Sequence, residues 1–214
     1  ISLIIATLIV FQQLKHVQKQ NLGFNKENIL CMMHTMNLTK NSAAFKNELL
    51  QYPEITGVTY TNRMPPYIDW NSTFRIVDSG EEHLLTVYTV DYDLIKTMGY
   101  EVVAGRFFSR DFPADSSRIL INETALRQFG WDSFEGKKIM SRFNTMEERE
   151  VEVIGVLKDF NFESLKSNIR PMIIFLGGEP NFEMGIRFAS GDVQKNLAIV
   201  ESAWKKYAPD APFE

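Results

Sequence analysis

The sequence predicts an α+β fold: a β-α-β unit, interrupted by a mostly β block and preceded by a truncated transmembrane or stalk helix. Three observations lead there. Residues 28–66 follow a strand, helix, strand pattern; short strands with turn residues between them dominate from Tyr67; and the chain opens on the uncharged run Ile1–Phe11. With 44% of 214 residues hydrophobic, the chain can bury one large core or two small ones.

The leading run admits three readings. A signal peptide is disfavoured, because no basic segment precedes the run and no Ala-x-Ala site comes after it. A buried helix would show no polar face. As a helix the run covers about 16 Å, roughly half of a hydrocarbon core of about 30 Å. The neighbouring residues favour the third reading, the outer half of a severed membrane helix. "QQLKHVQKQ" turns polar while Phe11, Leu14 and Val17 keep one apolar stripe, and Gly23 ends this stalk. The final "YAPDAPFE" also looks like a cut.

"NILCMMHTM", Asn28–Met36, is expected as a buried strand. "NSAAFKNELLQYP" then reads as a helix with Ser42 as N-cap, Phe45, Leu49 and Tyr52 on one face, and Pro53 as its stop. "ITGVTYTNRMPP" is a second strand broken by Pro65 and Pro66.

In the middle block, "STFRIVD" and "HLLTVYTVD" are strands around the turn "SGEE", with His83 in that turn. "YDLIKTMG" is a short helix closed by Gly99, with Asp91 and Asp93 at its N-terminus. "YEVVAGRFFSRD" runs strand into turn. "RILINETALRQFG" is a strand entering a helix, capped by Asn122, favoured by Glu123 and ended by Gly130. "KKIMSRF" and "REVEVIGVLKDF" are strands joined by "NTMEE". Finally "MIIFL" and "EMGIRFA" are strands, with "GGEPNFE" between them read as a hairpin loop. The last helix starts at an Asp192 cap, stops at Pro209, and lays Val193, Leu197, Val200, Trp204 and Tyr207 along one apolar face.

Composition excludes several functions. The net charge is 23 − 27 = −4 with no basic run, which argues against nucleic-acid binding. Cys31, the only cysteine, permits no intrachain disulfide and reads as a small buried hydrophobe, with a reactive thiol as the alternative. His16 on the stalk, His34 in a strand and His83 have no second His or Cys at metal spacing. No phosphate loop, zinc-protease motif or nucleophile elbow is present.

Asp159 and Glu163 flank two phenylalanines in "VLKDFNFESLKSNIRP", just after an apolar strand. Paired carboxylates there could do chemistry, but no base or metal cluster elsewhere completes a site. The alternative is architecture: Asp159 binds turn amides while Phe160 and Phe162 plug the core. On that reading no catalytic, cofactor-binding or metal-binding residue is assigned, and no cofactor is expected.

The same residues carry a resemblance. "VIGVLKDFNFESLKSNIRP", Val153–Pro171, resembles the signature of the MacB-like periplasmic core domain of FtsX-type ABC transporter permeases. "LGFNKENIL", the "MPP" at Met64–Pro66, "MGYEVVAGRFFSRD", "ILINETALRQFGW" and "APDAPFE" are similar to other family segments, in family order. Asn161 stands where the family frequently has histidine.

The resemblance implies a porter-like subdomain at 29–63 and 170–214, C-terminally truncated. A sabre-like β subdomain occupies 64–169, behind a membrane helix end and stalk at 1–28. It further implies an extracytoplasmic domain on the periplasmic side of the inner membrane. A separate cytoplasmic ABC ATPase subunit hydrolyses ATP, and a permease homodimer or pseudo-dimer passes the motion to export or to a periplasmic adaptor or envelope protein. The competing expectation is a ligand-binding or sensor domain for a peptide or antibiotic, using Tyr67 and Trp70; the same two residues could instead cover a hinge.

Overall fold

The structure is a computed structural model describing residues 22–143, 147–163, 167–178, 181–189 and 191–213. Residues 1–21 of the expected membrane helix end and stalk, with Phe11, Leu14, His16 and Val17, lie outside the described residues. Among the described residues, no helix is long and apolar enough to cross a membrane.

The elements run β1 (Ile29–Met32), a 3-10 helix (Thr35–Asn41), α1 (Ser42–Leu49), β2 (Ile55–Thr61), β3 (Asn71–Ile76) and β4 (Glu82–Val90). Next come α2 (Leu94–Met98), β5 (Val102–Gly105), a 3-10 helix (Pro113–Ser117), β6 (Arg118–Asn122), α3 (Glu123–Gln128) and β7 (Lys138–Ser141). β8 (Arg149–Leu157), β9 (Met172–Leu176), β10 (Glu183–Phe188) and α4 (Val193–Tyr207) complete the elements among the described residues. The mixed α+β class is as expected.

Two assemblies share the sheet. In the first, β10 lies antiparallel between β1 and β2, and α1 and α4 cover one face. Phe45 meets the Trp204 ring edge-on at 5.9 Å, and Val58, Tyr60, Met184 and Ile186 of the strands close the core. Asp192 caps α4 as expected, accepting from Gln194 N at 2.8 Å. Its apolar stripe is only half used: Val200 and Trp204 are buried, whereas Val193 and Leu197 are exposed.

The second assembly is a ring. β4 pairs β3, β3 pairs β7, β7 pairs β8, β8 pairs β6, β6 pairs β9, and β9 returns to β4 in parallel register, Thr86 opposite Met172 through Val90 opposite Leu176. Six strands thus close a small barrel. The two-residue period assigns its inside: Phe74, Ile76, Leu85, Val87, Ile119, Ile121, Ile139, Val151, Val153, Ile173 and Phe175 form one cluster drawn from every strand. Alternate residues of the same strands, Tyr88, Val90, Leu120, Ile154 and Ile174, face outward into a further core under α2 and the Phe160–Phe162 segment. β5 pairs β8 off this ring. β9, which the boundary at residue 170 groups with the terminal strands, pairs β4 and β6.

Several local expectations are corrected. The strand from Asn28 ends at Met32, because His34 adopts a left-handed φ of 57° and starts the 3-10 helix. Ser42 is the first residue of α1 and not its cap; its carbonyl accepts from the Tyr60 hydroxyl at 3.0 Å. His83 lies within β4, not in a turn. "GGEPNFE" is no hairpin, since β9 belongs to the ring and β10 to the terminal strands.

Candidate functional site

The "DFNF" segment leaves the end of β8 and alternates its contacts residue by residue. Asp159 accepts from Thr124 N at 3.0 Å, Thr124 Oγ1 at 2.7 Å and an Arg127 guanidinium nitrogen at 2.7 Å. Thr124 lies in the first turn of α3, where backbone N–H groups lack helical partners, so Asp159 supplies a cap from a distant strand. Its own N–H donates to Glu123 Oε2 at 2.8 Å. Phe160 and Phe162 are buried, and Phe160 lies 4.4 Å from the Tyr100 ring. Glu163 takes a separate partner, Arg170, which also donates to Asn71 Oδ1 at 3.0 Å. The two carboxylates serve different contacts, and Asp159 binds the start of α3 and not the turn amides expected of it.

Asn161 has a role that sequence reasoning missed. Its N–H donates to the Leu22 carbonyl at 2.7 Å, at the first described residue of the expected stalk. Gly23 comes next with φ +83°, and a Cβ there would sit 2.8 Å from Asp159 O and Phe160 Cα. Phe24 packs edge-on against Phe160 at 6.3 Å, and Asn25 N donates to Met98 O at 3.0 Å. Arg187 of β10 then donates to the carbonyls of Asn25, at 2.7 Å, and Glu27, at 3.0 Å. Residues 22–27 are therefore clamped to both assemblies at once. Nothing in "LGFN" (22–25) or "DFNF" (159–162) signals the other in the sequence.

Among the described residues the two assemblies meet in the sheet at one register pair, Thr61 opposite Val90. A buried ionic cluster stands beside it. Lys46 of α1 lies 2.5 Å from Asp91 and 2.8 Å from Asp93. Asp91 also accepts from Thr59 Oγ1 at 2.5 Å and Tyr60 N at 2.9 Å. Asp93 is the N-cap residue of α2 but makes no side-chain cap; its carboxylate faces Lys46 and Arg110. Burial pushes its carboxyl up, but hydrogen bonds from Arg110 and Lys46 outweigh that and hold it down at about 2. The expectation that both aspartates serve the helix terminus is corrected: Asp91 binds the Asp93 amide at 3.1 Å, yet its main partners are Lys46 and β2.

In the Gly-Arg turn, Arg106 clamps the fully buried Asp115 with two bonds of 2.6 and 2.7 Å and stacks 4.2 Å from the Phe112 ring centre. Burial raises the Asp115 carboxyl, and the bonds from Arg106 and the Ser109 amide win, leaving it below its ordinary value. Cys31 is exposed on β1, not a buried hydrophobe. Protein packed around the thiol, with Glu183 nearby, nonetheless pushes it up to about 11, far from a reactive thiolate. Among the described residues no group of three His, Cys, Asp or Glu side chains could hold a metal ion.

The clamp, ring and junction can be set against known proteins. A family profile described as MacB-like periplasmic core domain matches residues 1–194. The chain belongs to that family. A comparison with curated proteins by sequence returned no match. Among solved structures, this MacB-like domain is similar to the periplasmic region of MacB from Actinobacillus actinomycetemcomitans, with TM-score 0.63, 14% identity, and 93% of this chain and 92% of that one covered. It is similar to a domain of a putative permease protein from Porphyromonas gingivalis, with TM-score 0.58, 17% identity, and 86% and 85% covered. It is also similar to the extracellular domain of the noncanonic ABC-type transporter YknZ from Gram-positive bacteria, with TM-score 0.57, 16% identity, and 84% and 94% covered. At such identities these likenesses concern the fold.

Proposed function

We propose that this MacB-like domain is the extracytoplasmic core of an ABC transporter permease subunit, on the periplasmic side of the inner membrane. It has no catalytic centre or cofactor of its own. It transmits motion driven by a separate cytoplasmic ATPase, within a permease homodimer or pseudo-dimer, to export or to an adaptor or envelope protein. The porter-like part is 29–63 with 170–214, of which β9 runs inside the ring, and the sabre-like part is 64–169.

The observation that carries this reading is the clamp on residues 22–27. A helix can move a body only if the chain joining them is fixed to that body. Here Leu22 and Asn25 are hydrogen-bonded to Asn161 and Met98, Gly23 sits close against Asp159–Phe160, and Phe24 packs on Phe160. A closed barrel and a helix-backed sheet are stiff, so a tilt delivered at Leu22 becomes displacement of the whole domain.

The test uses the complete permease with its ATPase in lipid, with spin labels reporting the separation of the two domains through the ATP cycle. Val17→Pro, which softens the expected helix, and Gly23→Val, which pries the clamp open, should abolish the distance change while leaving ATP turnover measurable. Wild-type distance changes in both variants would refute transmission through this connection.

A further inference from the structure

We infer that the seam between β3 and β7 is a docking groove for an extended, carboxylate-bearing peptide segment of a partner protein. This goes beyond force transmission and does not depend on it.

The seam is where the barrel is least closed. β3 and β7 share register only at Arg75 opposite Met140 and Ile76 opposite Ile139. Continued by three positions, the ladder would set Phe74 opposite Ser141, Thr73 opposite Arg142 and Ser72 opposite Phe143. Instead those six residues line a cleft of about 730 Å³. The cleft reaches Val87 of the barrel interior, and at its mouth the Trp70 ring stands 6.3 Å from that of Phe143. β3 is paired along its other edge with β4, from Asn71 opposite Thr86 to Arg75 opposite Glu82. Antiparallel alternation turns Ser72 and Phe74 toward β4, so on the edge toward β7 the Thr73 N–H and C=O are left without a ladder partner among the described residues. Such an edge is a template for one more strand.

The occupant's chemistry is set by the walls. Backbone donors and acceptors repeating along a strand are matched by an extended polypeptide, and three positions span about 10 Å at roughly 3.3 Å per residue. Trp70, 49% exposed, and Phe143 offer an aromatic platform for an apolar side chain. Arg75 is already engaged by Glu148 at 2.5 Å. Arg142 is exposed and makes no ion pair among the described residues, so it is the charge left for an incoming carboxylate. Glu82 lines the far end of the cleft and repels an acid there, which sets the carboxylate at the Arg142 end.

The test screens a positional-scanning library of acetylated, amidated hexapeptides against the full 214-residue chain in mild detergent. The tightest peptide should bind with Kd below about 1 mM, and N-methylating its central amides should weaken it by about tenfold or more. It should select an acidic residue, lose affinity against Arg142→Glu, and recover when its acid is exchanged for lysine. Hydrogen exchange should slow at Thr73 on binding. Arg142 is a surface side chain, so the variant keeps its fold, checked by unchanged exchange in the barrel strands. Absence of any binder below that limit overturns the proposal. So does binding that is indifferent to N-methylation or to Arg142→Glu, or protection confined to other strands.

Discussion

Lys46 and Asp91 form an ion pair of 2.5 Å with side chains only 5% and 2% exposed, and they belong to different assemblies: Lys46 to α1, Asp91 to the residue just after β4. Beside the single Thr61–Val90 register pair, this contact fixes how the terminal sheet sits on the barrel. Removing Lys46 would leave Asp91 buried with hydrogen bonds but no countercharge. Lys46→Met should therefore cost about 3–5 kcal/mol of stability, read from the midpoint of urea unfolding at constant slope. A double variant, Lys46→Met with Asp91→Leu, should recover part of that loss.

Acid should act on the same cluster through Asp93. Its carboxyl is held at about 2 in the folded chain against 3.8 ordinarily, by Arg110 and Lys46 acting against burial. A depressed folded value means the contribution is complete above about pH 4 and is lost as pH falls toward about 2. Unfolding midpoints measured across that window should decline, and Asp93→Asn should flatten its share of the decline.

Asp159→Ala removes the remote cap of α3 and the bond to Arg127. Loss of a capping carboxylate costs about 0.5–2 kcal/mol, and amide exchange should quicken first at Thr124 and its neighbours. Asp159→Asn keeps an acceptor and should lose less.

Phe160→Ala empties the space where Tyr88, Tyr100, Phe24 and Phe162 converge. A buried phenylalanine truncated to alanine costs about 3–5 kcal/mol. The loss should also free the chain at Leu22–Phe24, seen as faster proteolysis near that segment before global unfolding.

What the sequence disclosed, and what it hid, divides by the range of the interactions. Periodicity found the strands and the helix from Val193, and it placed Phe45, Leu49, Val200 and Trp204 inside, because burial of one face repeats along one segment. Asn122 and Asp192 were legible as caps since their partners lie within three residues. Asp91 was not, because Lys46 and Tyr60 reach it from 45 and 31 residues away. Barrel closure is hidden for the same reason: parallel pairing of β4 with β9 leaves no trace in either strand's own alternation. β9 and β10 suggest a hairpin because they are neighbours in sequence, yet they are not neighbours in the sheet. Around "DFNF" the plugging phenylalanines were readable, while the bond from Asn161 to Leu22 required the fold.

Both chain crossings between the terminal strands and the barrel pass the same two residues. Asn62, on the way out, binds Thr89 through its N–H at 3.0 Å, and on the way back Gly177 N meets Val90 O at 2.8 Å while Asn181 reaches Thr89 Oγ1 at 3.0 Å. Departure and return side by side make the barrel a cassette. A relative's barrel spliced in at those two points has to bring a carboxylate to the place of Asp91, or Lys46 and the Tyr60 amide left behind lose their partner.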